Sequence, residues 1–284
     1  MSELQPLEVL YEAGSLPRGP LPAGLRELFG GDFGLDERCV YANFVATLDG
    51  VVSIPALRSS NTFIARDNDA DRFVMGVLRA YADAVLIGSG VLRASPRGTW
   101  RAEAIYPPAA PDYEALREGL GLQAAPEIAV LTGRGSIDPG HPLLASGALV
   151  LTSTAGADRL AAVVPEATTV LALADEETID LRLVVAALHE RGHARILCEA
   201  GPHTFGGLLG AGVVDELFLT SSPLLVGEGE AGSRYSLVEG ADLVPGEMNA
   251  RLLSVRRHGS HLFTRYAIEG RTGPAPTPSS PAAR

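Results

Sequence analysis

Four clusters of residues able to do chemistry fall at or beside the ends of apolar runs. In the first, Glu199 closes Ile196-Leu197-Cys198 and is followed by the turn Ala200-Gly201-Pro202 and an apolar-periodic segment, His203 to Ala211. A strand, a glycine turn and a helix in that order present backbone N–H groups to an anion. Glycine is needed there because a Cβ would block close approach of a phosphate. An ionised Glu199 is an acceptor only, suited to a ligand amide or amine; the competing role is a helix cap or a salt-bridged carboxylate. His203, at the positive end of a helix, reads as a cap or phosphate neighbour rather than a general base.

The second cluster is Gly88-Ser89-Gly90, which continues as VLRASPRGTWR. Two glycines around a serine can close N–H groups and a hydroxyl on a diphosphate, and Arg97 and Arg101 bracket Trp100, the only tryptophan, whose ring could stack on a flat ligand. Arg79, on the preceding helix, could reach the same mouth; its alternative is a surface ion pair with Asp83. The third cluster is Asn43 to Gly50, NFVATLDG, where Asp49-Gly50 also reads as a plain turn. The fourth is Asn61 with Phe63 in a Ser-rich loop. No Ser/His/Asp order or P-loop pattern occurs. Anion-cradling turns without a protein nucleophile suit a reaction whose hard chemistry belongs to a cofactor.

The elements that must position these clusters alternate. Val40–Leu48, Ala84–Ile87, Ile128–Leu131, Ala148–Thr152, Thr168–Ala172, Ile196–Cys198 and Val213–Thr220 read as strands. Asp67–Tyr81, with Asp67 as N-cap, and Asp180–Arg191, with Leu183, Val184, Ala187 and Leu188 on its apolar side, read as amphipathic helices. Ala250–Arg256 and Leu262–Ile268 read as a hairpin around Gly259. This predicts an α/β fold: a central, mostly parallel sheet with an antiparallel C-terminal edge hairpin and helices on both faces. Residues 1–38 are expected to be an irregular arm packed on the domain, 39–269 the domain, and 270–284 a disordered Pro/Ser-rich tail.

Composition narrows the class. The 284 residues are 46% hydrophobic, with a mean hydropathy of +0.16, enough for a substantial core. A net charge of −11 and a pI near 5.0 argue against nucleic-acid and anionic-membrane partners. Cys39 and Cys198, both in or beside apolar runs, read as buried thiols, and with no Cys-x-x-Cys spacing a structural zinc site is not expected. The first residues have neither a basic n-region nor an apolar h-region, so a cytoplasmic location is expected.

Taken in order, several motifs resemble the pyrimidine reductases of riboflavin biosynthesis, including the reductase half of the bifunctional deaminase–reductase, relatives of the dihydrofolate reductase fold. They are Leu48-Asp49-Gly50, the run LRAYADAVLIGSG from Leu78 to Gly90, Ser95 to Arg101, Glu199-Ala200-Gly201-Pro202, Val214 to Gly227, and His261 to Tyr266. The resemblance implies a homodimer that transfers hydride from NADPH to the ribosyl carbon of a phosphorylated ribosylaminopyrimidine. It implies that Ala46, Phe63, Gly88, Ser89, Gly90 and Val91 line the nicotinamide and diphosphate, and that Gly201, Pro202, His203, Thr204, Phe205, Gly206 and Gly207 hold the remaining phosphates. Asn61, Arg79, Arg101 and Glu199 would face the substrate, the arginines near its phosphate and Glu199 near the pyrimidine. Glu199 and Asp49 would be the catalytic candidates, Asp49 as the nearest proton donor. Two departures stand out: Val91 replaces the usual Thr after G-x-G, and Ser95 replaces the usual Asp or Asn before Pro. The deaminase's zinc signature does not occur, so a stand-alone reductase is expected. A dihydrofolate or pterin reductase on the same scaffold, or a catalytically idle NADP-binding protein, are the alternatives.

Overall fold

The computed structural model describes residues 4–57, 59–246 and 248–270; residues 271–284 of the Pro/Ser-rich tail lie outside the described residues. The strands are β1 (Glu8–Glu12), β2 (Cys39–Ala46), β3 (Val51–Ser53), β4 (Ala84–Gly88), β5 (Glu127–Thr132), β6 (Leu149–Ser153), β7 (Thr169–Ala174), β8 (Arg195–Cys198), β9 (Glu216–Ser221), β10 (Tyr235–Ser236), β11 (Asn249–His258) and β12 (His261–Glu269). The helices are α1 (Ala23–Phe29), α2 (Ser60–Ile64), α3 (Asp69–Tyr81), α4 (Ser89–Ala94), α5 (Ala102–Ile105), α6 (Ala110–Gly119), α7 (Pro142–Ala145), α8 (Thr154–Leu160), α9 (Leu181–Glu190) and α10 (Pro202–Gly210).

Ten strands form one sheet in the order β1-β11-β12-β9-β2-β8-β4-β5-β6-β7. From β9 to β7 every pairing is parallel, and β12, β11 and β1 are added antiparallel on the other side. This is the mostly parallel sheet with a C-terminal antiparallel hairpin that the strand–helix alternation predicts. β1 lies one position further out than the hairpin, because the N-terminal segment carries a strand and a helix despite its Pro and Gly content. That segment is anchored by rings: Phe33 meets Phe29 at 5.1 Å and Tyr81 at 4.9 Å, both edge to face. The Arg256 guanidinium covers Phe29 at 4.1 Å, and its Nε donates to the Phe29 carbonyl.

Strand alternation explains why both faces are covered. On β4, Val85 and Ile87 enter one core with Phe73, Val77 and Leu116, while Ala84 and Leu86 enter the other with Val184, Leu188 and Phe205. Side chains alternate across a strand, so a strand buried on both faces reads as a continuous apolar run. Each fully buried Leu, Val or Phe contributes roughly 1.5–3 kcal/mol of transfer free energy.

Two helix boundaries differ from expectation. α3 begins two residues late, because Asn68 rather than Asp67 caps it: its Oδ1 accepts the N–H groups of Ala70 at 2.8 Å and Asp71 at 3.3 Å. Asp67 instead occupies a left-handed turn (φ 57°) and pairs with Arg72. On α9, Leu183 is exposed and Val185 takes its place in the core. The acidic pair Asp215-Glu216 is structural: Asp215 accepts the Val40 N–H at 2.7 Å, and buried Glu216 is bidentate with Arg265. Cys39 and Cys198 are free and buried; burial pushes the Cys198 thiol up to about 12, which leaves it an unreactive thiol. No helix among the described residues is long and apolar enough to cross a membrane.

Candidate active site

Three adjacent parallel strands, β2, β8 and β4, run side by side, and β8 ends first, with Ala42 and Leu86 both opposite its last residue, Cys198. Ligands in open α/β sheets bind beyond such carboxyl ends. The chain leaves β8 through Glu199, whose N–H is held by the Leu86 carbonyl at 3.0 Å. Arg79, on the last turn of α3, meets the Glu199 carboxylate with two sides of its fork: Nε lies 3.0 and 3.2 Å from the two oxygens, and Nη2 lies 2.7 Å from Oε2. Nη1 donates to the Arg101 carbonyl at 3.4 Å. The two side chains are only 8% and 7% exposed, so this is a buried ion pair. Arg79 is therefore not paired with Asp83, whose carboxylate instead accepts the N–H groups of Ala194 and Arg195.

The pair lines a cleft of about 260 Å³. Asn61, Asp71, Val91, Glu199 and Gly201 all reach it, so α2, α3, α4 and the β8–α10 turn converge on one space. Trp100 lines it too, but from within the core: it is 5% exposed and lies over Gly98, so it is a wall rather than a free stacking ring. Arg101 does not point in; its half-exposed side chain is 3.5 Å from Glu103.

Asp71 escaped the sequence reading. It lies on the buried side of α3 and accepts a hydrogen bond from the Thr220 hydroxyl. Burial, opposed by that bond and by neighbouring Arg79 and reinforced by the Glu199 charge, pushes its carboxyl up to about 6. The signal was available: positions 71, 74 and 78 share one helix face, and a lone Asp in line with Val74 and Leu78 is a charge on an apolar stripe.

The glycine turns lie next to each other at the cleft's edge. A Cβ built on Gly88 would sit 3.6 Å from the Thr204 hydroxyl, so the β4–α4 and β8–α10 turns abut. Cβ atoms on Gly90 and Gly201 would meet open space. In α10 the first N–H to bond back is that of Phe205, to the Gly201 carbonyl, which leaves the open helix end at residues 201–204. His203 is exposed there, edge to face with Tyr235 at 5.3 Å. The next three residues are occupied otherwise. Phe205 is in the core against Phe44, a Cβ on Gly206 would lie 2.5 Å from the Glu239 carbonyl, and one on Gly207 would lie 2.7 Å from Leu181. At the end of β9, Ser222 binds the Ala46 carbonyl through its N–H, while its buried hydroxyl has no protein partner among the described residues. Adjacent open glycine turns and an orphaned hydroxyl beside buried Ala46 are what an extended, diphosphate-bearing cofactor with an amide head would fit.

Asp49 does not line the cleft. Its carboxylate accepts from the Thr47 hydroxyl at 2.5 Å and from the Val226 and Gly227 N–H groups at 3.1 and 2.6 Å. The Thr47 bond first, then the Gly227 and Val226 bonds, hold its carboxyl below the usual aspartate range, so it stays ionised and braces the loop after β9. A group with a depressed folded-state pKa contributes above its unfolded pKa, and the contribution fades as pH falls through the folded value. Hydrogen exchange should therefore show the Val226 and Gly227 amides losing protection at acid pH, and at neutral pH in Asp49→Ala; unchanged protection in the variant would contradict the bracing role. Phe63, half exposed, faces a second depression beside the cleft, with Thr62 and Asp67 on the border between the two.

Residues 38–263 match the model of the RibD C-terminal domain. The chain belongs to the RibD C-terminal domain family. It is 26% identical over 191 residues, 66% of this chain and 81% of the relative, to the 2,5-diamino-6-ribosylamino-4(3H)-pyrimidinone 5′-phosphate reductase of Archaeoglobus fulgidus. Among solved structures, a pyrimidine reductase-like protein from Corynebacterium diphtheriae aligns over 82% of this chain and 93% of its own, with a TM-score of 0.65 and 20% identity. Acinetobacter baumannii RibD aligns over 82% of this chain and 59% of its own, with a TM-score of 0.61 and 18% identity. The RibD-type chain is thus an oxidoreductase of the riboflavin-pathway pyrimidine reductase group, and its cleft is the candidate place for a small-molecule substrate.

Proposed function

We propose that this chain is an NADPH-dependent reductase that converts a 5′-phosphorylated ribosylaminopyrimidine to its ribitylamino product. One observation carries the reading: the buried Arg79–Glu199 pair stands in the wall of a cleft bordered by two abutting glycine turns. When bound, NADPH supplies the hydride that ends on the ribosyl C1′. Ser89, Gly90 and Val91 on one turn, Gly201 to Thr204 on the other, and Ala46 with Ser222 are the groups available to hold it. Phe205, Gly206 and Gly207 fix α10 from behind.

On the substrate side, Glu199 accepts N–H groups of the pyrimidine, and Arg79 fixes that carboxylate in direction. With Arg79 buried against Glu199, the cleft's other cation among the described residues is Arg72, which pairs with Asp67 and Asp69 at the cleft's border and which we assign, together with Asn61, to the substrate phosphate. Val52 and Val91 close the apolar side, and most of the rate comes from holding C1′ and the hydride donor together. A homodimer belongs to the same proposal: β1, the outermost strand, leaves Val9, Leu10 and Tyr11 exposed, an edge a second copy would cover. Oxidation of NADPH against the ribosylaminopyrimidine 5′-phosphate and against dihydrofolate tests the assignment. Turnover of the pyrimidine alone is expected; turnover of dihydrofolate alone would move the chain to pterin chemistry, and binding without turnover would make it an idle cofactor-binding protein.

A further inference from the structure

The pyrimidine reduction consumes one proton per hydride, and none of the groups considered so far supplies it. Asp49 is ionised and lies outside the cleft, and Glu199 is held by a guanidinium. Asp71 is different in three respects. Its side chain is buried yet lines the cleft. Among the described residues no cation lies within ion-pair distance of it, because the Arg79 fork is turned to Glu199 and to the Arg101 carbonyl. Its hydrogen-bond partner is the Thr220 hydroxyl, a neutral group that does not cancel a charge on the carboxyl.

Resting on the pyrimidine-reductase reading, we propose that Asp71 is the proton source of the reaction, passing its proton to the ribosyl ring oxygen as the C1′–O4′ bond breaks. The balance is complete. The exocyclic nitrogen lone pair forms a C1′=N bond as the C1′–O4′ pair leaves to O4′; the Asp71 proton makes O4′ a hydroxyl; hydride then adds to C1′ and returns the pair to nitrogen. Asp71 ends as a carboxylate and recovers its proton from solvent. The net change is one hydride and one proton taken up. Burial and the nearby Glu199 charge favour the protonated carboxyl, and a bound substrate phosphate adds further negative charge and excludes water, moving it the same way.

The charged and titratable surroundings are few. Arg79 and Arg72 share α3 with Asp71, Asp67 precedes that helix, Glu199 faces it from the end of β8, and Thr220 faces it from β9. His261 on β12 bonds Asn68 and the Ala65 carbonyl, and burial lowers its pKa, which favours the neutral ring.

The test is kcat against pH from 5 to 9 for the wild type and Asp71→Asn, with NADPH affinity from Trp100 quenching and thermal unfolding measured alongside. The wild-type kcat should fall about tenfold per pH unit on its alkaline limb. Asp71→Asn, which keeps a partner for Thr220, should lose roughly 10²–10³-fold in kcat and lose that limb, with NADPH affinity and unfolding little changed. Asp71→Glu should restore part of the rate and a limb at a shifted pH. Either a full rate in Asp71→Asn or a reduced rate with the alkaline limb intact would overturn the proposal, the latter by showing a structural role. A wild type that binds NADPH but never reduces the pyrimidine would overturn the underlying reading, and the proposal with it.

Discussion

Replacing Glu199 by alanine is expected to lower stability by about 3 kcal/mol, toward the lower end of the range for breaking a buried ion pair because the cleft admits some water. In a domain of this size that corresponds to a fall in Tm of roughly 6–12 °C. The reason is that Arg79, 8% exposed on its side chain, would be left with a buried charge and one long bond to the Arg101 carbonyl. Arg79→Ala should be similarly destabilising, although Glu199 is the partner proposed to touch the pyrimidine. The double variant should fall well short of the sum of the two, since residues in direct contact couple by 0.5–3 kcal/mol. Catalysis separates the partners. Glu199→Gln keeps the shape but turns an amide N–H toward groups that themselves donate, so kcat/KM should drop about 10²–10³-fold while the fold survives. Additive losses in the double variant, or full activity in Glu199→Gln, would contradict the account of the pair.

Gly90→Val is expected to be nearly neutral for folding and severe for the cofactor. A Cβ at that position meets no protein atom within 4 Å, so the fold has no reason to object beyond the local backbone preference. The same open space is where the cofactor's diphosphate would approach the start of α4, and a branched side chain there excludes it. NADPH affinity should fall about 10²-fold, read as lost energy transfer from Trp100, with Tm within a few degrees of wild type. A Gly90→Val protein that binds NADPH normally would remove the β4–α4 turn from the cofactor site.

The parts of this molecule that local pattern controls were legible, and the parts that depend on distant pairings were not. β4 and β8 are apolar runs ended by polar or glycine residues, and their positions and parallel pairing follow from alternation with α3 and α9. The cap of α3 shifted from Asp67 to Asn68 because either side chain suits the role, and the choice is made by Asp67 taking a left-handed turn and an Arg72 partner. Arg79 and Glu199 were both placed near the ligand, but their union spans 120 positions in the chain, and nothing in either local sequence names the other. The consequence is chemical: it redirects Arg79 from phosphate binding to carboxylate positioning. Asp71 was overlooked because helix assignment counts the apolar residues on a stripe and passes over the polar one among them. Trp100 looked free because it sits between two arginines, yet a positive φ folds it back onto Gly98 and into the core.

Hydride is proposed to reach C1′ of a ribosylaminopyrimidine phosphate in the cleft beside Glu199. The most direct measurement is turnover of that substrate with NADPH deuterated at the nicotinamide C4, one face at a time, followed by mass and NMR analysis of the product. A ribitylamino product carrying one deuterium on C1′, from one labelled face and not the other, is the predicted result. A product without the label at C1′, or cofactor oxidation that leaves the ribose ring closed, would contradict it.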